Sequence, residues 1–309
     1  MEGINKTAKI QFFFRPFSTD PKIQVLIFVA FLAMYLTSLG GNATIAVIVQ
    51  INHSLHTPMY FFLANLAVLE IFYTSSIAPL ALANLITMGK TPVSYTGCGT
   101  QMFFFVFLGG ADCVLLAVMA YDRFIAICYP LRYTILMSWP LCVELMVGSL
   151  VLGFLLSVTL TALIFHLPFC SNHEIYHFYC DMPAVMRLTC SNTHIHETAL
   201  YIISFIVLSI PLSLISISYI FIVAAILRIR SAEGRHRAFS TCSSHLLVVL
   251  LQYGCTSFIY LSPSSSYSPE RGRVVSVVYT FITPILNPLI YSMRNKELKD
   301  ALRKVLRKF

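Results

Sequence analysis

Two long apolar stretches of this 309-residue chain carry charged residues whose positions suggest a function. Glu70 and Asp112 are each near the middle of such a stretch, where a charged side chain is costly and usually functional. Asp122 and Arg123 are adjacent where an apolar helix meets water, so that separating them would require a new partner for each charge. This pair suits a conformational switch, although Arg123 could instead simply extend its guanidinium group to lipid headgroups.

Two amides, Asn42 and Asn287, are the expected neighbours of Glu70 and Asp112. Two carboxylates and two amides around one cavity could bind sodium through oxygen ligands, or share a proton, because adjacent carboxylates repel each other when both are ionised. A hydrogen-bonded cluster without an ion is the simpler alternative. No nucleophile–base pair, P-loop or HExxH pattern indicates an enzyme. We therefore expect no cofactor, apart from a sodium ion at Glu70 and Asp112.

The composition indicates a membrane protein, with 57% hydrophobic and 11% charged residues, whereas soluble domains carry about 25% charged residues. The net charge of +8 arises from basic residues in the gaps between apolar runs, which argues against a nucleic-acid partner and for contact with membrane lipids. Seven runs are long enough to cross a bilayer. They predict an all-α bundle with helices at about 23–49, 58–88, 98–127, 140–165, 198–227, 239–261 and 274–293.

The basic residues also predict the orientation of these helices. They concentrate in the gaps on the side of the C-terminus, so we expect residues 294–309 in the cytoplasm and the tail 1–22 outside the cell. Asn5 begins a glycosylation sequon in that tail. Residues 294–309 alternate apolar and basic positions at helical spacing, which predicts a short amphipathic eighth helix on the membrane surface.

Cysteines and histidines cluster in the long outer loop between the fourth and fifth runs. Cys170, Cys180 and Cys190 lie there, and Cys98 opens the third run at the same face. Four cysteines at an oxidising surface suggest two disulfides, for which three pairings exist. His173 and His177 are candidate metal ligands, but oxidised cysteines would deprive such a site of its best donors.

The outer halves of the helices offer residues for a ligand pocket. Helical spacing groups small, apolar and hydroxyl side chains there, with no fixed charge, although ordinary helix packing would use the same types. We expect recognition of a hydroxyl or carbonyl group through Ser204, Thr256 or Tyr260. The candidate ligand-binding residues are Phe105, Val106, Gly109, Gly110, Ile203, Ser204, Val207, Tyr253, Thr256, Tyr260, Val277 and Thr280.

Several motifs together resemble the olfactory receptors, a family of rhodopsin-like G-protein-coupled receptors, along essentially the whole chain. They are GN at 41–42, LHTPMYFFL at 55–63, MAYDRFIAIC at 119–128, SY at 218–219, RAFSTCSSH at 237–245 and PILNPLIYSMRN at 284–295. The resemblance implies an odorant in the outer half and a stimulatory G protein that raises cyclic AMP. It further implies disulfides Cys98–Cys180 and Cys170–Cys190.

The same resemblance assigns the inner switch. Arg123 would leave Asp122 on activation, with Tyr219 and Tyr291 approaching it, and His245 would belong to the same switch, although a lone histidine in a helix is more often a core residue. The chain departs from the family pattern in places. Phenylalanine usually precedes the Tyr-Gly pair of the sixth helix, where this chain has Gln252. Glu70 and Asp112 exchange the usual aspartate and glutamate.

We therefore predict an odorant receptor in the plasma membrane, with a trafficking chaperone as a further expected partner. A seven-span ion or proton transporter that uses Glu70 and Asp112 is the rival hypothesis. It leaves Asp122, Arg123 and the basic inner loops without a role. A receptor of the same fold for a metabolite outside the nose is a third interpretation.

Overall fold

The computed structural model describes residues 10–169, 173–262, 268–294, 298–301 and 303, and covers only the backbone at 237, 241 and 291–294. Within these residues seven helices are long and apolar enough to cross a membrane, which confirms the predicted seven-helix architecture. The first to seventh spans are Pro21–Ile51, Pro58–Ile86, Tyr95–Cys128, Trp139–Phe165, His194–Leu227, Ala232–Tyr260 and Pro269–Ile290.

Several spans extend beyond the ends predicted from apolarity. The sixth begins at Ala232 instead of Phe239, because the Ser231 hydroxyl caps it by accepting a hydrogen bond from the Gly234 N–H at 3.3 Å. The fifth begins at His194, four residues before the predicted start. Helical hydrogen bonds continue through polar residues, so apolarity marks only the part of a helix that is placed in lipid.

The seventh span changes its helical geometry midway. An α-helix Pro269–Val277 is followed by a π-helical turn Val278–Ile282 and a second α-helix Thr283–Arg294. A π-helical turn adds backbone to one turn, which alters the direction in which the next side chains point. This irregular turn carries Tyr279 and Thr280.

The third span is the centre of the bundle. Its most apolar window is 61% buried, compared with 17% in the first span and 28% in the fourth and fifth, and it packs against the second, fourth, fifth and sixth spans. Gly153 allows the fourth span to come close, because a Cβ atom there would lie 2.6 Å from the Phe107 carbonyl oxygen. The third span can therefore link both ends of the bundle.

A lid covers one end of the bundle. We define the lid as residues 173–186, which include a strand Glu174–Ile175 and a short helix Met182–Met186. The strand Gln11–Phe14 pairs with Glu174–Ile175 in parallel and with Val93–Ser94 in antiparallel register. Phe12 and Phe14 of that strand are buried. Part of the predicted N-terminal tail is thus a structured element of the lid end.

The opposite end carries short helices Pro130–Arg132 and Tyr133–Leu136 after the third span. Residues 298–301 are helical, and Leu298 and Ala301 are buried. Most of the predicted eighth helix lies outside the described residues, as does the predicted glycosylation site Asn5.

Candidate functional site

A cavity of about 70 Å³ lies beneath the lid, between spans two to seven. Its walls are mostly apolar and aromatic, as in most sites for small molecules. Tyr73 and Phe105 stack in the wall with ring centroids 5.6 Å apart. The lining comprises Tyr73, Phe105, Val106, Gly109, Gly110, Cys113, Leu156, Leu160, Met182, Ser204, Val207, Leu208, Gln252, Thr256, Tyr260 and Tyr279.

Eight of the predicted ligand-binding residues line this cavity: Phe105, Val106, Gly109, Gly110, Ser204, Val207, Thr256 and Tyr260. The structure places four others away from the lining. The Tyr253 hydroxyl donates to the Cys113 carbonyl oxygen at 2.7 Å, and the Thr280 hydroxyl donates to the Ser276 carbonyl oxygen. Ile203 and Val277 are half-buried and outside the lining. Helical spacing predicted the direction of these four side chains only approximately, because neighbouring helices and the π-helical turn decide which side chains reach the cavity.

Two of the three predicted recognition hydroxyls already have partners in the protein. The Thr256 hydroxyl donates to the Gln252 carbonyl oxygen at 2.7 Å, within its own helix. The Tyr260 hydroxyl donates to Asp181 Oδ1 at 2.8 Å. These bonds shape the cavity, but they leave less capacity for a ligand.

Sequence reasoning missed several lining residues, of which Met182 and Gln252 are the most informative. Gln252 precedes Thr256 by four residues, so it shares a helix face with a residue that was predicted. Met182 follows Cys180 by two residues, and the disulfide Cys98–Cys180 ties this part of the lid to the third span. The pairing implied by the resemblance is confirmed for Cys98 and Cys180.

The second predicted disulfide falls only partly on described residues. Cys190 is disulfide-bonded, whereas its predicted partner Cys170 lies outside the described residues. The backbone around Cys190 is held by a hydrogen bond from its N–H to the Pro168 carbonyl oxygen at 2.9 Å.

The lid inserts a buried polar cluster above the cavity. His177 Nε2 lies 3.1 Å from Ser276 Oγ and 4.0 Å from Asp181 Oδ2, and the hydroxyls of Tyr179 and Tyr279 contact each other. Burial raises the pKa of Asp181 to about 7. Burial, with a smaller contribution from the nearby Arg273, lowers the pKa of His177 to about 3. At neutral pH this histidine is therefore uncharged.

Metal binding by the lid histidines has little geometric support. In the described part of the chain no three histidine, cysteine, aspartate or glutamate side chains are grouped so that they could hold a metal ion. His177 faces Ser276 and Asp181, and the His173 carbonyl oxygen accepts a hydrogen bond from the Phe13 N–H at 2.9 Å. Their main observed contacts are structural.

A second polar group lies in the middle of the bundle, where Glu70, Asp112, Asn42 and Asn287 are all buried. The Asn287 amide donates to Glu70 Oε1, and Asn42 Nδ2 donates to the Pro284 carbonyl oxygen at 2.9 Å. Asp112 is close enough to Glu70 for the two carboxyl groups to interact electrostatically. The buried atoms Glu70 Oε2, Asp112 Oδ1 and Asn287 Oδ1 have no hydrogen-bond partner among the described residues.

The predicted switch residues meet at the end opposite the lid. Asp122 and Arg123 are only 2% and 5% exposed, and Arg123 lies close to Asp122 while its guanidinium contacts the Cys242 thiol of the sixth span. The Tyr219 hydroxyl lies 2.8 Å from His245 Nδ1, which joins the fifth span to the sixth. Tyr291 was also predicted to belong to the switch, but its side chain lies outside the described part of the chain.

Tyr133 also contacts the switch residues, although it was not predicted from the sequence. Its hydroxyl donates to Asp122 Oδ1 at 2.7 Å from the short helix after the third span. Burial, and then the neighbouring Asp122 carboxylate, raise the pKa of Tyr133, so the hydroxyl remains a donor at physiological pH. Asp122 thus has a neutral partner in addition to Arg123.

Comparison with known proteins agrees with this arrangement. The family described as olfactory receptor matches residues 31–308. Olfactory receptor 10V1 of Homo sapiens is 87% identical over 309 residues, covering 100% of each chain. Olfactory receptor 10Q1 of Homo sapiens is 54% identical over 98% of this chain and 95% of its own. Olfactory receptor 10J5 of Mus musculus is 50% identical over 98% of this chain and 97% of its own.

The family match covers the cavity, the switch and all of the spans except the beginning of the first, and the 87% identical relative covers all seven spans. It favours the receptor interpretation over the transporter, and it agrees with a multi-pass membrane protein that is a receptor and not an enzyme. The chain belongs to the olfactory receptor family of G-protein-coupled receptors and is an odorant receptor.

Proposed function

We propose that a small, mostly apolar odorant binds in the cavity beneath the lid and that the occupied receptor activates a stimulatory G protein, which raises cyclic AMP. The observation that carries this proposal is that the same two helices serve both sites. The third span contributes Phe105 to the cavity and Arg123 to the switch. The sixth contributes Thr256 to the cavity and Cys242 to the contact with Arg123.

The distance between the two sites is short on the sixth span. Gln252 in the cavity follows His245 of the switch by only seven residues, which corresponds to about 10 Å of helix. A ligand that fits the cavity better when the sixth span is displaced would shift the population toward that conformation. Displacement would separate Cys242 from Arg123 and free the guanidinium group for a G protein.

The orientation of the chain is part of the same proposal. The lid and its disulfide would face the outside of the plasma membrane, where oxidising conditions favour cystine. The basic residues between the other ends of the helices would face the cytoplasm. The proposal also includes glycosylation of Asn5 and assistance by a trafficking chaperone on the way to the plasma membrane.

We also propose that the polar group in the middle of the bundle binds a sodium ion in the resting state. Glu70 Oε2, Asp112 Oδ1 and Asn287 Oδ1 are buried oxygens without a hydrogen-bond partner in the described part of the chain. Such oxygens are the ligand type that hard cations prefer, and two carboxylates supply the negative charge. A transporter would use the same carboxylates, but it would not require ligand-dependent activation of a G protein.

The direct test is cyclic AMP in cells that express this chain, measured against volatile alcohols, aldehydes, ketones, esters and acids. We expect a response in the wild type that Arg123→Ala abolishes at equal surface level, because the guanidinium group would no longer be available to the G protein. Arg132→Ala is the matched control, since Arg132 is an exposed basic residue near the same end. Equal responses in all three proteins would contradict the proposed coupling.

A further inference from the structure

We propose that Gln252 is the polar anchor of the cavity and that it selects a neutral ligand carrying a hydrogen-bond-accepting oxygen, as in a ketone or an ester. This inference rests on the proposed function, because it concerns the ligand of the same cavity. It replaces Thr256 and Tyr260, the recognition residues expected from the sequence.

The lining hydroxyls of the sixth and seventh spans are largely occupied. Thr256 donates to a carbonyl oxygen of its own helix at 2.7 Å, and Tyr260 donates to Asp181 at 2.8 Å. The Tyr279 hydroxyl contacts the hydroxyl of Tyr179. A ligand oxygen that accepted a hydrogen bond from Thr256 or Tyr260 would have to replace the present bond. The contacts of Tyr260 and Tyr279 reach lid residues, so their loss would also loosen the lid.

The Gln252 amide is less fully used than these hydroxyls. The residue is 3% exposed, lines the cavity, and has a side-chain hydrogen bond with the Cys113 thiol across from it on the third span. A primary amide has two N–H donors and one carbonyl acceptor, whereas a thiol is a weak partner. A buried amide with spare donors gains most from a ligand that completes its hydrogen bonds.

The charge of the lining restricts the ligand further. None of the residues that line the cavity in the described part of the chain is a lysine, arginine, histidine, aspartate or glutamate. A carboxylate or an ammonium ion would therefore lose its hydration without gaining an opposite charge. A hydrocarbon would fit the apolar walls but would leave the amide N–H groups unsatisfied. A neutral carbonyl oxygen satisfies both conditions.

Ser204 and Tyr73 also line the cavity and carry hydroxyls. Both can assist recognition, but a hydroxyl has a single donor where the amide has two. Ser204 lies on the fifth span and Tyr73 on the second, so their substitution can be separated from any change in the sixth. They serve as competitors to Gln252 in the test.

The experiment compares pairs of ligands with the same shape. One member is a ketone, and in the other a =CH2 group replaces the carbonyl oxygen. The concentration giving half-maximal cyclic AMP is measured for wild type, Gln252→Met and Thr256→Val, with surface level measured on the same cells. Methionine keeps the length of glutamine without its hydrogen bonds. Thr256→Val is the matched control, because it changes a lining residue whose hydroxyl already donates to a carbonyl oxygen of its own helix.

We expect the wild type to prefer the ketone by about tenfold, the ratio that corresponds to one good hydrogen bond. Gln252→Met should bring the two potencies to within about twofold of each other, whereas Thr256→Val should preserve the preference. Ser204→Ala and Tyr73→Phe should each preserve most of it.

Two results would overturn the inference alone: a wild type that responds equally to both members of each pair, or a Gln252→Met receptor that keeps the wild-type preference. Loss of the preference in Ser204→Ala or Tyr73→Phe while Gln252→Met retains it would assign the anchor elsewhere. A wild type that is at the surface yet silent to every ligand would instead overturn the proposed function, and the inference with it.

Discussion

The lid and the middle of the bundle differ in how many of their buried polar atoms have a partner and in what holds each region in place. In the lid, Asp181 accepts a hydrogen bond from Tyr260, and His177 is within hydrogen-bond distance of Ser276. In the middle of the bundle, Glu70 Oε2 and Asp112 Oδ1 are buried without such a partner among the described residues. The lid also has one such oxygen, Asp181 Oδ2, but the lid is tied to the bundle by a disulfide and a strand pairing. The middle has three such oxygens, on two carboxylates and one amide, that can accept something else.

This difference indicates that the two regions have different roles. A lid held by a disulfide, a short strand pairing and hydrogen bonds to the helices preserves the shape of the cavity, which lowers the cost of ordering on ligand binding. Buried carboxylates with spare oxygens are costly in any single arrangement, so they favour a change of partner when the helices move. The lid is suited to recognition and the middle to switching.

The largest expected effect comes from breaking the covalent tie of the lid. Cys98→Ser should remove most folded receptor from the cell surface, because loss of a native disulfide typically costs about 2–5 kcal/mol. Surface labelling with an antibody to an N-terminal tag measures this. Cys255→Ser is the control, since Cys255 is a free thiol. Equal surface levels of the two variants would show that the lid does not need its disulfide.

A second prediction concerns pH, since two buried groups of the lid, Asp181 and His177, change the free energy of unfolding in opposite directions as pH rises. Between about pH 3.8 and 7 the folded lid keeps a proton on Asp181 that the unfolded chain releases. This lowers the free energy of unfolding as pH rises. Between about pH 3 and 6.5 the unfolded chain binds a proton on His177 that the folded lid excludes. This raises the free energy of unfolding as pH rises.

The two contributions should cancel in the wild type between about pH 4 and 6.5. Asp181→Asn should leave a stability that increases with pH, and His177→Gln one that decreases, each by at most about 1.4 kcal/mol per pH unit. The midpoint of thermal unfolding of purified receptor in nanodiscs measures this. The double variant should follow the wild type. Parallel profiles for the two single variants would refute the opposition.

A smaller effect is expected in the middle of the bundle. If sodium binds the resting state, sodium should raise the agonist concentration needed for half-maximal nucleotide exchange by about fivefold, compared with potassium at equal ionic strength. Glu70→Gln should abolish this difference, because it removes one anionic ligand. Glu144→Gln is the control, as Glu144 is an acidic residue of the fourth span outside the polar group. A sodium effect that survives in Glu70→Gln would assign it to another site.

The sequence alone was sufficient for the seven spans because each must present about 20 apolar residues to lipid, whatever the packing. It was less informative about where the helices end, as Ala232 illustrates, since a capped helix continues into water. The strand Gln11–Phe14 was not predicted, because four residues are too few for a distinct pattern and its partners lie far away in the chain.

In the candidate site, too, residues placed by helical spacing could be predicted, whereas residues placed by contacts between distant parts of the chain could not. Phe105 and Gly109 were identified from helical spacing, and both line the cavity. Gln252 was noticed only as an unusual residue, because its place in the lining depends on the packing of the sixth span against the third. The partnership of Tyr133 with Asp122 depends on where a four-residue helix packs, and a helix that short has no recognisable periodic pattern.

The most direct test of the account is to fill the cavity. Val207→Trp introduces a large side chain into the lining, and Val223→Trp places the same side chain at an exposed, lipid-facing position of the same helix. At equal surface level, we predict that Val207→Trp raises the half-maximal odorant concentration for cyclic AMP by about tenfold or more, while Val223→Trp leaves it unchanged. If Val207→Trp responds with wild-type potency, the odorant does not bind in this cavity.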